Sequence, residues 1–498
     1  MGISRRTAFA AALAVATTAA ATGIGPAPTS SAAPEDRPNV VLILLDDLDA
    51  TTTPFWDAMP ETAQRLRDQG VTFTSAYVPS PNCCPARAGI LTGQYGHNNG
   101  VLTNLGPGGG WTGFHPHESS TLATRLDDAG YSTALFGKYL NGYDLSTTIP
   151  PGWDRWWAGA DVGMYAGYDY RVNDQGTLVH YDKEPADYFT DVLAAKVVDY
   201  LDSTEATDAD PFFAYVAPTA PHLPLRPAAR HETSHPFIGA TTPHSPNYAE
   251  ADVTDKPWWL RISAVFRTPR LVAVDADYRK RLATLMSVDD MVAAIHDRLA
   301  ANGELDHTYF VFASDNGYNL GAHGLVDKLV PYEESSRIPL VIAGPGIEPG
   351  GTRPQLALTI DLAPTILDWA GLAIPADIDG RSLRDAIAAS ATPLRASFLL
   401  EYRTSASSLD PETRWISGIL FDAPSYRAVH TDRWVLIEWD LDDHLGSGVQ
   451  FELYDLSVDP YQLENLAAPP AGITAHLGPF IVLRNRLEVL SSCTGATC

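Results

Sequence analysis

The sequence of 498 residues has few basic residues and few cysteines. Its 34 lysines and arginines stand against 60 aspartates and glutamates, which gives a formal net charge of −26 at pH 7. Such a balance argues against nucleic acid as a partner. There is no internal repeat, and beyond the N-terminus no apolar run is long enough to span a bilayer. A hydrophobic content of 45% instead predicts a large globular protein with a substantial core.

Residues 1–33 have the pattern of an export signal peptide. Ser4-Arg5-Arg6 precedes an alanine-rich apolar run, and the segment ends in small residues that are typical of a cleavage site. The paired arginines favour the twin-arginine route. Because Phe9 lies one place later than is usual for that route, an ordinary secretory signal is the alternative. The sequence therefore predicts an exported protein, extracellular or associated with the cell envelope.

The four cysteines lie in two places. Cys493 and Cys498 are expected to form a small disulfide loop after export. Cys83 and Cys84 are neighbours, and a disulfide between neighbours is strained and uncommon. The sequence therefore favours chemical modification of one of this second pair over a bond between them.

Apolar strand patterns alternate with helical patterns over residues 34–390, which predicts a large α/β domain with a mostly parallel sheet flanked by helices. The main predicted elements are strands Val40–Leu45, Ser132–Phe136, Phe212–Val216, Tyr309–Ala313 and Pro339–Ile342, and helices Glu61–Gln69, Ser120–Ala129, Asp187–Leu201 and Asp277–Ala301. Residues 391–498 change to short strands and predict a smaller C-terminal α+β domain. Its elements are an antiparallel sheet of Phe398–Tyr402, Trp434–Trp439 and Phe451–Leu456, and a helix at Pro479–Leu490.

The segment that begins at Cys83 has the pattern C-x-P-x-R, followed by an apolar turn and Thr92-Gly93. Pro85 suits the first turn of a helix, so we expect Cys83 at a helix N-terminus and Arg87 one turn on. A helix N-terminus with an arginine beside it favours anions. The alternative is a buried and inert cysteine in a loop. That alternative does not explain why Arg87 and Thr92-Gly93 follow Cys83 at this spacing.

Polar residues follow four of the predicted strands, namely Asp46, Asp47, Lys138, His222, Asp315 and Asn316. Ligands of open α/β sheets bind beyond the carboxyl ends of the strands, so we expect these side chains to converge. Each pair alone is equally typical of a turn. Together, the three carboxylates and the amide are oxygen ligands that suit Ca²⁺ or Mg²⁺. We favour calcium, because such a set tolerates irregular coordination.

These motifs resemble those of the type I, formylglycine-dependent sulfatases. The resemblance extends through most of the chain after the export signal and includes, besides the Cys83 segment, Pro38 to Asp47, Gly137-Lys138, Pro218 to His222, Ser314 to Gly317, Tyr332 to Ser335, Asp361 to Ile366, Asp379 to Leu383, and Glu452 to Leu456 with Asp459-Pro460. It implies an alkaline-phosphatase-like sandwich fold and hydrolysis of sulfate esters on a small molecule or a glycan.

The resemblance also implies roles for individual residues. A formylglycine-generating enzyme would oxidise Cys83 to an aldehyde whose hydrate is the nucleophile. The metal would be bound by Asp46, Asp47, Asp315, Asn316 and the modified Cys83. The sulfate would be held by Arg87, Lys138, His222 and Lys328.

One position departs from the family pattern. Many sulfatases have Gly-Lys-Trp-His where this chain has Gly137-Lys138-Tyr139-Leu140, so a histidine is missing. Three side chains are candidates to replace it, namely Asn141, His97 and His323. The string from Gly137 to Asn141 is similar to the N-acetylglucosamine-6-sulfatase branch, which favours sulfated sugars, with aryl sulfates as further candidates.

The sequence is also compatible with two other functions. A phosphodiesterase or phosphonate monoester hydrolase of the same superfamily would use a similar site on a phosphorus ester. A secreted glycan-binding protein would keep the fold without turnover.

Overall fold

The computed structural model of the protein describes residues 37–51, 54–205, 210–233, 236–263, 268–388, 392–404, 423–442, 448–470 and 472–498. The predicted export signal and the predicted domain boundary between residues 390 and 391 lie outside these ranges, so both stay predictions. None of the described helices is both long and apolar enough to cross a membrane.

Within the described ranges, the strands form one large sheet and three small ones. Their bounds are β1 Asn39–Leu45, β2 Val71–Phe73, β3 Ala76–Tyr77, β4 Ser132–Gly137, β5 Arg155–Gly159, β6 Tyr170–Asp174, β7 Thr177–Tyr181, β8 Phe212–Ala217, β9 Thr308–Ser314, β10 Asn319–Leu320, β11 Val326–Asp327, β12 Leu340–Ala343, β13 Gly351–Arg353, β14 Ala357–Leu358, β15 Phe398–Tyr402, β16 Tyr426–His430, β17 Trp434–Asp440 and β18 Val449–Asp455. The large sheet has ten strands in the order β13-β2-β12-β9-β1-β8-β4-β5-β6-β7.

Strand β1 lies near the centre of the ten-stranded sheet, and all seven of its residues are buried. It pairs in parallel with β8 and β9, with Val40 opposite both Phe213 and Tyr309. Alternate side chains enter two different cores, Leu42 on one face and Ile43 on the other. The uninterrupted apolar run of β1 therefore reflects a strand that is covered on both faces, as expected for a parallel sheet.

The predicted α/β sandwich is confirmed, with a more mixed sheet than expected. The centre is parallel, but β12 is antiparallel to β9 and β2 on one side, and β5, β6 and β7 are antiparallel neighbours on the other. The strands β5 to β7 are absent from the sequence prediction. Strand β7 is mostly exposed, so it lacks the apolar run that identifies a buried strand.

The α-helices of six residues or more among the described residues are α1 Cys83–Thr92, α2 Leu122–Asp127, α3 Phe189–Glu205, α4 Trp258–Ser263, α5 Thr268–Asn302, α6 Leu362–Trp369 and α7 Leu477–Leu490. The predicted helix over 277–301 begins nine residues earlier, where Pro269 occupies a first-turn position that proline favours. The predicted helix over 61–69 is a short α-turn that continues as a π-helix, Ala63–Arg67.

The C-terminal part forms the antiparallel sheet β15-β16-β17-β18, against which α7 packs. The predicted disulfide between Cys493 and Cys498 is present. A buried ion pair joins the two parts of the chain. Both nitrogens of the Arg395 guanidinium fork lie 2.6 Å from the carboxylate oxygens of Asp361, just before α6.

We expect Arg395→Met to lower the free energy of unfolding by about 3–5 kcal/mol, because it leaves the buried Asp361 carboxylate without its cation. The matched control is Arg384→Met, whose ion pair with Asp368 lies at the surface and should contribute at most about 1 kcal/mol. Urea unfolding of the three proteins measures the difference. Equal losses in both variants would contradict a structural role for the buried pair.

Candidate active site

The candidate site lies at the carboxyl ends of the central strands of the large sheet. Asp46 and Asp47 follow β1, Asp315 and Asn316 follow β9, and Lys138 follows β4. The sheet ladder continues into these residues, since the Asp315 amide donates to the Leu45 carbonyl over 3.0 Å and the Lys138 amide to the Ala217 carbonyl over 2.9 Å. Parallel strands thus bring together residues that are far apart in sequence.

Cys83 is the first residue of α1 and is fully buried. Its sulfur lies 3.7 Å from a carboxylate oxygen of Asp46 and 2.7 Å from Nζ of Lys328. Burial raises the pKa of the Cys83 thiol well above its usual value, and the opposing influence of Lys138 and Lys328 does not reverse this. The thiol is therefore protonated near neutral pH and is a poor nucleophile in its unmodified form.

Three cations face three carboxylates in this pocket, all of them buried. Lys138 Nζ lies 2.6 Å from Asp46 Oδ2, and Arg87 Nε lies 2.7 Å from Asp315 Oδ2. Lys328 Nζ also contacts Asp47 Oδ1. Charges that are removed from water require partners at this distance, so the cations and carboxylates of the set stabilise one another.

The carboxyl groups differ in their pKa shifts. Burial alone would raise the pKa of Asp46, but Lys138, His222 and other nearby cations lower it below its usual value. The pKa of Asp47 is lowered in the same way, against burial, by Lys328 and His222. For Asp315, burial and repulsion from Asp46 outweigh Arg87, so its pKa is raised.

Several polar atoms of the site can bind a cation. Ligand atoms of Asp46, Asp47, Cys83 and His222 lie within 4.8 Å of one another. Asp47 Oδ2, Asn316 Oδ1 and His222 Nε2 are buried without a hydrogen-bond partner in the described part of the chain. Unsatisfied buried oxygens are costly, and an oxygen-rich set of this kind suits a hard divalent cation. The residues therefore form a possible metal-binding cluster.

The ligand set expected from the sequence stays a prediction. His222 lies in the cluster, and Asp315 receives hydrogen bonds from Arg87 and from the Asp47 amide. His222 Nδ1 donates to the Leu223 carbonyl, which can only accept, so Nε2 is the nitrogen that faces the site. This nitrogen lies 3.6 Å from Asp47 Oδ2.

The structure gives the candidates for the missing histidine other partners. His97 bonds to Glu401 and to the Cys493 carbonyl, beside the C-terminal sheet. The His323 ring lies 2.7 Å from Glu250, in the long insert between β8 and α4. The backbone oxygen of the third candidate, Asn141, accepts a hydrogen bond from an amide at the start of a neighbouring one-turn helix.

Tyr165 is a site residue that the sequence did not indicate. Its ring packs on His222 with 4.6 Å between centroids, and Lys138 Nζ lies 5.0 Å from its centre. It lies in a one-turn helix before β6, in a region without a recognisable motif. Long-range packing alone brings this ring to the site, so no sequence pattern marks it.

The fold and this pocket define a hydrolase of the alkaline-phosphatase-like class. The profile of the sulfatase family matches residues 38–372, and the profile described as N-sulphoglucosamine sulphohydrolase, C-terminal, matches residues 321–477. An N-acetylglucosamine-6-sulfatase from Capra hircus is 35% identical over 495 residues, which covers 93% of this chain and 85% of that protein. The chain belongs to the sulfatase family and is a sulfuric ester hydrolase.

Other similar proteins agree with this membership. An extracellular sulfatase SULF-1 homolog from Drosophila melanogaster is 40% identical over 357 residues, covering 71% of this chain but only 32% of that protein. A solved structure in complex with its substrate D-glucosamine-2-N,6-O-disulfate has a TM-score of 0.72 at 24% identity and covers 91% of this chain and 97% of that chain. A phosphonate monoester hydrolase from Silicibacter pomeroyi has a TM-score of 0.67 at 23% identity, covering 91% and 96%. At these identities, both structures show the fold alone.

We expect Asp47→Asn to weaken calcium binding by roughly 100-fold or more, since even residues that only support a metal ligand contribute 10–100-fold. Asp49→Asn is the matched control, because Asp49 is equally buried two residues away but bonds to Thr51. Isothermal titration of chelator-treated proteins with Ca²⁺ measures both affinities. Identical affinities of the two variants would remove Asp47 from the metal site.

Proposed function

We propose that this protein hydrolyses sulfate monoesters of amino sugars, of the N-acetylglucosamine-6-sulfate type, with the oxidised side chain of Cys83 as nucleophile. One observation supports this most directly. The Cys83 sulfur lies within hydrogen-bonding distance of Lys328 Nζ, inside a buried pocket that holds three cations. A cation-rich pocket around residue 83 suits an anionic group that is bound at that position.

The choice of substrate is supported by the extent of the similarity to one relative. The goat N-acetylglucosamine-6-sulfatase aligns with nearly the whole chain, including the C-terminal part. The Gly137-Lys138-Tyr139-Leu140-Asn141 string belongs to the same branch by resemblance. Aryl sulfates are expected as further substrates, because their good leaving groups need little help in departing.

The sulfate group would be held by the cationic side chains of the pocket. Arg87, Lys138 and Lys328 offer three positively charged donors, and a sulfate monoester presents three non-bridging oxygens. Each donor has a carboxylate partner within the pocket, which keeps it charged and oriented before substrate arrives. Such prearranged donors stabilise the charge that develops on sulfate oxygens in the transition state.

His222 is proposed as the acid that protonates the departing alcohol. Its Nδ1 is fixed by the Leu223 carbonyl, so Nε2 is directed into the pocket and can carry the transferred proton. The adjacent ring of Tyr165 limits rotation of the imidazole. A sugar alkoxide is a poor leaving group, so this proton transfer matters most for sugar sulfates.

The proposed metal is calcium, with magnesium as the alternative. Asp46, Asp47, Asp315 and Asn316 would hold it together with the modified residue 83. A bound divalent cation would supply positive charge that favours the ionised nucleophile. The unsatisfied oxygens of Asp47 and Asn316 support this assignment.

Oxidation of Cys83 to formylglycine, by an external oxidant and with loss of the sulfur, is proposed because the unmodified thiol is protonated and buried. The hydrated aldehyde supplies an oxygen nucleophile with a second hydroxyl that allows sulfate to leave. A formylglycine-generating enzyme would have to reach residue 83 before α1 packs into the core. The proposed location of the mature protein is outside the cell or at the cell envelope, in keeping with the relatives named extracellular sulfatase.

We expect Cys83→Ser to lower sulfate release from N-acetylglucosamine 6-sulfate by a factor on the order of 10³ or more, because serine lacks the second hydroxyl. Cys84→Ser is the matched control, since Cys84 is the next residue and equally buried. The control should retain activity within a few-fold. Turnover in Cys83→Ser equal to that of the unmutated protein would contradict the proposed nucleophile.

A direct comparison of esters tests the phosphorus alternative. We expect kcat/KM for 4-nitrophenyl sulfate to exceed that for bis(4-nitrophenyl) phosphate by roughly tenfold or more, because a diester leaves one of the three donors without an oxygen. Both esters release the same phenol, so leaving-group ability is matched. A preference for the diester would instead indicate a phosphodiesterase. Binding of sulfated sugar by formylglycine-containing protein without sulfate release would indicate a glycan-binding protein.

A further inference from the structure

Arg281 is a buried arginine on α5 whose bonds go to backbone carbonyls. Its side chain is 1% exposed. Among the residues that the structure describes, its guanidinium forms no ion pair, and Nε has no hydrogen-bond partner. The guanidinium instead lies over the ring of Tyr318, 4.6 Å from its centre. Asp277, one turn earlier on α5, interacts with Arg281 electrostatically without forming an ion pair. A buried charge without a close carboxylate partner is costly.

The two hydrogen bonds of Arg281 reach the two loops that carry the proposed acid and a proposed metal ligand. Nη1 donates over 3.1 Å to the carbonyl of Pro221, the residue before His222. Nη2 donates to the carbonyl of Asp47 itself. One rigid group therefore spans the end of β1 and the segment after β8.

The Asp47 backbone requires such support. Its φ is +72°, in the left-handed region that side chains other than glycine rarely adopt. A backbone conformation of this kind persists only where the surrounding structure holds it in place. Strained residues of this kind are common at functional sites. The bond from Arg281 fixes the carbonyl of this strained residue, and with it the direction of the Asp47 carboxylate.

We propose that Arg281 is a positioning residue that sets the His222 imidazole relative to the Asp47 carboxylate. This inference rests on the proposed role of His222 as the acid that protonates the leaving group. Arg281 touches neither Nε2 nor the carboxylate, but it holds the backbone of both loops and thereby the 3.6 Å separation between Nε2 and Asp47 Oδ2. In metal-loaded protein, we therefore expect the loss of Arg281 to affect most strongly the substrates whose leaving group needs protonation.

A guanidinium suits this task better than an ammonium. Its planar fork presents donors at fixed angles, so two carbonyls on different loops can be held at a fixed separation. A lysine at position 281 keeps the charge but offers a single nitrogen at the end of a flexible chain. Arg281→Lys should therefore retain much of the stability and lose the fixed geometry.

The test compares two leaving groups in the full-length, metal-loaded protein. For Arg281→Gln, we expect kcat/KM for N-acetylglucosamine 6-sulfate to fall by roughly 100-fold, the cost of a misplaced catalytic group. For 4-nitrophenyl sulfate, whose phenolate leaves without a proton, we expect a loss of only a few-fold. Arg281→Lys should show the same difference between the two esters, but a smaller one.

Arg353→Gln is the matched control. Arg353 is also buried and donates to backbone carbonyls, those of Ala386 and Ile387, away from the site. We expect the thermal stability of the Arg353→Gln variant to fall without a change in the ratio of the two kcat/KM values. The ratio therefore separates a positioning role from general destabilisation.

A double variant completes the test. In a His222→Ala background, Arg281→Gln should no longer change the ratio, because the acid that it positions is gone. Equal losses of kcat/KM on both esters in Arg281→Gln and Arg281→Lys would overturn the inference. A change in the ratio that persists without His222 would also overturn it. If Arg281→Gln does not fold, the ratio of the two kcat/KM values is measured for Arg281→Lys, and that ratio tests the inference. Wild-type protein that releases sulfate from neither ester would contradict the proposed function itself, and the inference with it.

Discussion

The site depends on burying opposite charges together at one edge of a parallel sheet. Lys138, Lys328 and Arg87 have almost no access to water, and each is placed against an equally buried carboxylate. Removing any one of these charges takes from its partner the nearest opposite charge, in a medium that solvates charge poorly. The same arrangement leaves a few oxygens without donors, which suits a cation, and concentrates positive charge around residue 83.

The fold supplies this arrangement through strand ends. Because β1, β4, β8 and β9 are parallel neighbours, the residues after each of them meet at the same edge. The helix α1 then places Cys83 against that edge, and α5 reaches it from the other face through Arg281. The chemistry is thus carried by loops, while the sheet and two helices fix where those loops begin.

Much of this is predictable from the sequence, for physical reasons. The strands of the sheet centre are buried on both faces, so they are uninterrupted apolar runs, as in Val40–Leu45. Strand β7 at the edge lacks such a run, so the sequence does not reveal it. The C-x-P-x-R spacing places Cys83 correctly at the start of a helix, because the fixed backbone angle of proline suits the first helical turn.

Other features depend on contacts between distant segments, which no local pattern contains. The approach of His222 to Asp47, the packing of Tyr165 and the two carbonyl bonds of Arg281 belong to this class. An arginine in a long helix is ordinarily solvated, so only its burial distinguishes Arg281. Residue types and spacing thus indicate the chemistry, whereas packing decides which neighbours orient it.

The proposed activity depends on residue 83 acting as formylglycine within this charged pocket. Peptide mass spectrometry across Cys83, on active protein from its native producer, tests it most directly when sulfate release is assayed on the same sample. We expect the aldehyde at position 83 and activity that rises in proportion to the modified fraction. Full activity in protein whose Cys83 is unmodified would contradict it.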